Sequence, residues 1–216
     1  MGYNMGMLFS KLALYLKKLE ETPSRLSITE ILSDLFKESS SDEVDKITYL
    51  VLGQLAPAYE GIVFNMADKM VIKAIAKAYG KENKAVTELY KRLGDLGEVA
   101  EQLAKSEKPR LLASRRSGPD GQGTADSQPS VLDVYNILLE IADDSGEDSV
   151  ERKVDKLAKL FSSLDPLSVR FIARIPLGKL RLGFSDKTVL DALSWMLKGD
   201  KSLKTKLEKA YQVLPD

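Results

Sequence analysis

Between Arg174 and Leu193 the chain reads R-I-P-L-G-K-L-R-L-G-F-S-D-K-T-V-L-D-A-L. The second half of this stretch predicts a helix. Ser185 suits an N-cap, Asp186 suits the positive end of a helix dipole, and Val189, Leu190 and Leu193 share one apolar face. The first half predicts a short loop punctuated by Pro176, Gly178 and Gly183. In an extended backbone Lys179 and Arg181 leave one side while Leu180 and Leu182 anchor the other. Glycine lets a ligand approach the backbone, and the free N–H groups of a helix start favour an anion. Arg174, Lys179, Arg181 and Lys187 stand against one acid, Asp186. These residue types suit phosphate, and they equally suit a soluble turn whose charges only face water.

Outward from this loop the chain reads as helices, and no strand pattern competes. Leu12, Tyr15, Leu16 and Leu19 recur at helical spacing up to Thr22-Pro23. Ser27 with Glu30 reads as a capping box for a second helix, and Ser39 to Ser41 turn the chain into a third carrying Ile47, Leu50 and Val51. A fourth helix runs to Gly80, a fifth covers about Asn83 to Leu93, and Asp95 with Glu98 caps a sixth. Periodicity resumes at Val131, Ser149 is expected to cap the next helix, and Asp165-Pro166 opens another with proline at its first position. Gly199 ends the helix after the key loop, and a last one carries Leu203 and Leu207.

From Lys105 to Ser130 the character changes. Basic residues up to Arg116 give way to S-G-P-D-G-Q-G-T-A-D-S-Q-P-S, which buries too little apolar surface to order itself. The expected organisation is a helical half over 1–104, a basic Gly/Pro/Ser linker over 105–130, and a second half over 131–216.

The halves match in sequence. Leu12, Leu16, Leu19, Ser27, Leu35, Ile47 and Leu50 fall opposite Val134, Leu138, Ile141, Ser149, Leu157, Val169 and Ile172 at one constant offset. After the loop, at a slightly shorter offset, Asp68, Lys69, Val71 and Ala74 fall opposite Asp186, Lys187, Val189 and Ala192. The first half therefore carries its own version of the key loop, E-G-I-V-F-N-M-A-D-K, ending at Lys69. There Asn65 stands for Gly183, Ala67 for Ser185, and nothing basic for Arg181, so the second loop should bind anions more strongly.

Composition narrows the chemistry. The 216 residues contain no cysteine and no histidine, which removes thiol nucleophiles, thiolate metal sites and any histidine-based triad. Thirty-two basic residues balance 32 acidic ones, so nucleic-acid binding would need the basic groups clustered. No stretch is apolar enough to span a membrane, and a cytoplasmic location is expected. Asp143-Asp144 reads as a solvated helix end rather than a catalytic pair.

G-K-L-R-L-G-F-S-D-K-T-V-L-D-A-L resembles the motif that closes the N-terminal DNA-binding domain of ATP-dependent DNA ligases of the archaeal and eukaryotic type. The resemblance extends over nearly the whole chain through G-D-L-G-E-V-A-E at Gly94, V-Y-N-I-L-L-E-I-A at Val134, S-G-E-D-S-V-E-R-K at Ser145 and the closing A-Y-Q-V-L-P-D. It implies an all-α fold of two pseudo-two-fold-related halves that grips the minor-groove backbone around a nick in replication and repair. It also implies phosphate contacts from Gly178, Lys179, Arg181, Gly183, Ser185 and Lys187, with Gly61, Asn65 and Lys69 as the weaker counterpart. Glu147-Asp148 departs from the Gly or Ser that the family often has in that turn.

The family's adenylylated lysine lies in a Lys-x-Asp-Gly motif, which does not occur here. ATP and Mg are therefore expected only in a catalytic core beyond this domain, and the domain alone should be inactive. Nicked duplex DNA and that core are the expected partners. A sliding clamp stays open as a third, although no glutamine-led aromatic peptide occurs. The alternative is a helical scaffold for protein partners with an incidental basic loop; salt-sensitive DNA affinity separates the two.

Overall fold

Amphipathic periodicity becomes eleven α-helices in a computed structural model that describes residues 6–107, 128–180 and 182–214. They are α1 Phe9–Glu21, α2 Arg25–Glu38, α3 Val44–Leu52, α4 Asp68–Tyr79, α5 Asn83–Leu93, α6 Leu96–Ser106, α7 Val131–Asp143, α8 Ser149–Ser163, α9 Pro166–Arg174, α10 Asp186–Lys198 and α11 Lys204–Val213. Single 3₁₀ turns at Ala58–Glu60 and Ile175–Leu177 precede the two loops. Most of the expected linker, including Lys108, Arg110, Arg115 and Arg116, lies outside the described residues. No described helix is long and apolar enough to cross a membrane.

The helix ends follow local chemistry, with two corrections. Asp95 accepts from the Glu98 amide at 2.9 Å, and Asp165 accepts from the Leu167 and Ser168 amides at 3.1 Å. Helix α2 starts earlier than Ser27: Ser24 is its N-cap, and Ser27 contributes its amide to the Ser24 hydroxyl at 3.3 Å. Ser149 does not cap α8 either. The N-cap is Asp148, whose left-handed backbone (φ 59°) makes no side-chain capping bond, because a capping side chain needs extended backbone to reach the helix amides.

The sequence match pairs α1 to α4 with α7 to α10, and helices of one half pack on helices of the other. Helix α2 lies on α10 and α4 on α8; α1 lies on α9 and α3 on α7. Each contact thus has its reciprocal partner. Where α1 meets α7, Leu8 and Ser130 form an antiparallel bridge: the Phe9 amide donates to the Pro129 carbonyl at 3.0 Å and the Val131 amide to the Met7 carbonyl at 2.8 Å. The core between the halves holds Phe9, Phe161 and Phe171, all fully buried. Truncating such a phenylalanine to alanine costs about 3–5 kcal/mol, a large share of a domain's stability.

Helix α6 packs along α9. Gly97 permits this, since a Cβ there would sit 2.5 Å from the Arg170 carbonyl oxygen. The same packing corrects the sequence reading of Arg174. It is not a loop cation but a buried one, with Nε 3.0 Å from Asp95 Oδ1 and Nη1 2.7 Å from Glu20 Oε1. Arg170 reaches Glu20 and Glu101 beside it, at 2.9 and 3.3 Å. Asp144 is likewise not a solvated end: Arg152 holds it at 2.7 Å and Lys156 at 3.2 Å, with little of its side chain exposed.

Candidate nucleic-acid interface

Each loop is built in the same way from its residues upward. A 3₁₀ turn ends on a left-handed glycine, Gly61 (φ 67°) in the first half and Gly178 (φ 62°) in the second. Apolar side chains at alternate positions of the sequence follow. Ile62, Phe64 and Met66 turn toward the core in one loop, and Leu180, Leu182 and Phe184 do so in the other. A second left-handed residue then swings the chain into the helix: Asn65 (φ 49°) in the first loop and Gly183 (φ 77°) in the second. Asparagine tolerates this conformation better than most residues, which explains the exchange at this position.

Among the other expected contacts, Lys69 and Lys187 are exposed in the first turns of α4 and α10, and neither forms an ion pair with a described residue. Ser185 holds the N-cap position of α10, but its exposed hydroxyl makes no capping bond; its carbonyl accepts from the Thr188 amide at 2.8 Å instead. Among the described residues, the Asp186 and Lys187 amides then have no backbone acceptor, as is general for the first amides of a helix. Arg181 lies outside the described residues.

Lys179 is the exception to a free basic loop. Its ammonium crosses to the first half and lies 2.8 and 3.1 Å from the two oxygens of Asp68, the first residue of α4. Tyr90 of α5 donates its hydroxyl to Asp68 Oδ2 at 2.8 Å, and the lysine lies over its ring at 5.9 Å. The Lys179 bond, with the Tyr90 bond adding to it, holds the Asp68 carboxyl below its usual range against the opposing effect of burial. The second half repeats the tyrosine: Tyr211 of α11 donates to Asp186 at 3.0 Å. Sequence periodicity does not reveal these tyrosines, because Tyr90 and Tyr211 lie 22 and 25 residues from the carboxylates they meet.

The two loops therefore adjoin. Gly61, Asn65 and Gly178 border one open cleft whose floor includes Phe64, Met66 and Pro176. Its lining includes the exposed left-handed glycines Gly61 and Gly178 and runs to Ala67 and Met70 at the start of α4. Among the described residues, no cluster of acids could hold a metal ion. The arrangement is one of exposed backbone and glycines suited in chemistry to an extended polyanion.

The family described as DNA ligase N terminus matches residues 8–194, which takes in both loops and runs into α10. The chain belongs to the DNA ligase N-terminal family. This ligase domain is 39% identical to DNA ligase 2 of Thermofilum pendens over 216 residues, 100% of this chain and 35% of that protein. It is 40% identical over 210 residues to a probable DNA ligase of Dictyoglomus turgidum, covering 97% of this chain and 33% of that protein. A DNA ligase of Pyrobaculum islandicum is 38% identical over 211 residues, 97% of this chain and 34% of that protein. The ligase domain thus spans about a third of the length of the relatives it matches.

Proposed function

We propose that this domain is the DNA-gripping part of an ATP-dependent ligase and holds the minor-groove backbone on both sides of a nick. The observation that carries the reading is the Lys179–Asp68 bond. It joins two anion-suited loops edge to edge while Lys69 and Lys187 stay exposed at the two helix starts. Backbone amides, glycines and lysines recognise phosphate without reading bases, so binding follows duplex shape rather than sequence. Gly61, Asn65 and Lys69 serve one side of the nick. Gly178, Gly183, Ser185 and Lys187 serve the other, together with Arg181, which lies between the buried Leu180 and Leu182 in sequence. Lys179 contributes where phosphate competes with Asp68.

The halves, 1–104 and 131–216 joined by the 105–130 linker, are read as pseudo-two-fold copies. Their reciprocal helix contacts support this, since an isologous interface pairs each element with its opposite number. A duplex backbone has the same local symmetry. ATP, Mg and the adenylylated lysine belong to a catalytic core outside this chain, and the domain supplies grip and orientation for it.

Affinity for nicked duplex, measured by anisotropy across salt concentrations, tests the reading. With about six to ten phosphate contacts, affinity should fall roughly a thousand-fold or more between about 50 and 200 mM salt. A flat response favours the protein-scaffold alternative.

A further inference from the structure

The first loop is held by a cation that the DNA reading does not use. Lys153 of α8 is 4% exposed, a rare state for a lysine. Its ammonium donates to the Phe64 carbonyl at 2.7 Å and to the Ala142 carbonyl at 3.4 Å. Ala142 belongs to the last turn of α7, where the helix dipole welcomes a cation. Phe64 stands at the middle of the first loop, beside the left-handed Asn65. Among the described residues, the backbone from Ile62 to Met66 makes no hydrogen bond to other backbone. The lysine is therefore a main polar tether of that segment, and it comes from the opposite half. The second loop has no such lysine, because the matching position in α2 is Ile31; its own tether is Lys179, reaching the other way.

We infer that Lys153 is a positioning residue for DNA binding: without touching DNA, it sets the register in which the first loop and Lys69 meet the phosphate backbone. This rests on the DNA-binding reading above. A buried, doubly bonded ammonium suits the role, because a charged donor with no water to compete leaves the carbonyl few alternative places to go. Neutral replacement leaves the Phe64 carbonyl without that partner and lets the segment from Ile62 to Met66 shift, while Lys187 and its loop keep their own supports.

The test is a mutant cycle on the whole domain with a nicked duplex as probe. Lys153→Met should weaken binding by roughly tenfold, the scale of one lost charge-assisted hydrogen bond. In that background Lys69→Ala should add little further loss, whereas Lys187→Ala should keep its full effect. Lys153→Arg, which restores a cationic donor, should recover most of the affinity. Circular dichroism and thermal melting establish that each variant is folded. Should Lys153→Met not fold, Lys153→Gln, a donor one atom shorter, carries the same cycle. A folded neutral variant that binds like the parent overturns the inference, as does full additivity with Lys69→Ala. Failure of the parent itself to bind nicked duplex at low salt would instead remove the DNA reading on which it rests.

Discussion

Lys179 and Asp68, 111 residues apart in the chain, meet with Nζ 2.8 Å from Oδ1 and join the two loops of the domain. Each side chain keeps about a third of its surface exposed, so solvent screens the pair and its net worth to stability is small. Its consequence is geometric: it holds the start of α4 against the turn that leads into the second loop. It also sets one carboxylate among groups suited to bind phosphate.

Asp68→Asn should therefore tighten DNA binding. The amide still accepts from Tyr90, Lys179 is released, and one repulsive charge is gone. We expect affinity for nicked duplex to rise several-fold at low salt and the salt slope to steepen by about one. Weaker binding would mean that Asp68 matters by holding Lys179 in place.

The same pair makes a pH prediction. The folded Asp68 carboxyl is lowered, chiefly by the Lys179 bond, so its stabilising effect is complete above the ordinary carboxylate pKa and disappears as pH falls through the lowered value. Lys179 is raised, chiefly by the Asp68 bond, so its effect is complete below the ordinary lysine pKa and disappears as pH climbs through the raised value. The stability difference between wild type and Asp68→Asn should be flat from about pH 5 to 9 and shrink in stronger acid. Urea titrations at a series of pH values measure it.

Charge reversal at Lys187 should weaken DNA binding more than reversal at Lys69. Both are exposed at matching helix starts, but the second loop has Gly183 for Asn65 and adds Arg181. Neither change should affect folding by more than about 0.5 kcal/mol, as surface substitutions usually do not. Equal losses would count against unequal loops.

Arg181→Ala should weaken binding more than Lys179→Ala, since Lys179 gives up an existing partner to meet phosphate. Removing one phosphate contact should lower the salt slope by roughly one for all sequences alike. An Arg181→Ala protein that unfolds would mark the residue as structural.

Arg174→Met is expected to act on stability and not directly on the interface. It leaves Asp95 without its cationic partner, while Glu20 keeps Arg170, and breaking a buried pair from one side costs up to about 3–5 kcal/mol. The midpoint of urea unfolding should fall accordingly, while DNA affinity at temperatures where the domain stays folded should hold.

Secondary structure was legible in the sequence wherever the cause was local. Apolar spacing marked the helices, Asp95 and Asp165 marked their caps, and Gly80 and Gly199 marked their ends. Leu180 and Leu182 were legible as anchors because apolar residues at alternate positions share a face wherever the backbone is extended. Ser27 and Ser149 misled because several neighbouring residues can cap a helix, and the backbone of Ser24 or Asp148 decides which one does. Lys153 did leave a trace, since it interrupts the apolar stripe that continues through Leu157 and Phe161.

The sequence by itself determined the all-helical class, the matching of the two halves and the two loop-helix units, because periodicity, turn residues and helix ends act over a few residues. Only the tertiary structure decided which cations are free. Arg174 turns inward to acids far away in the chain, Lys153 caps a helix end and ties a loop, and Lys179 spans the halves, while Lys69 and Lys187 stay in water. A lysine or arginine has the same long stem and the same charge in all these places. Whether it meets a carboxylate, a carbonyl or solvent depends on what packing brings within about 3 Å of its head group, and the residues that do so here come from distant parts of the chain.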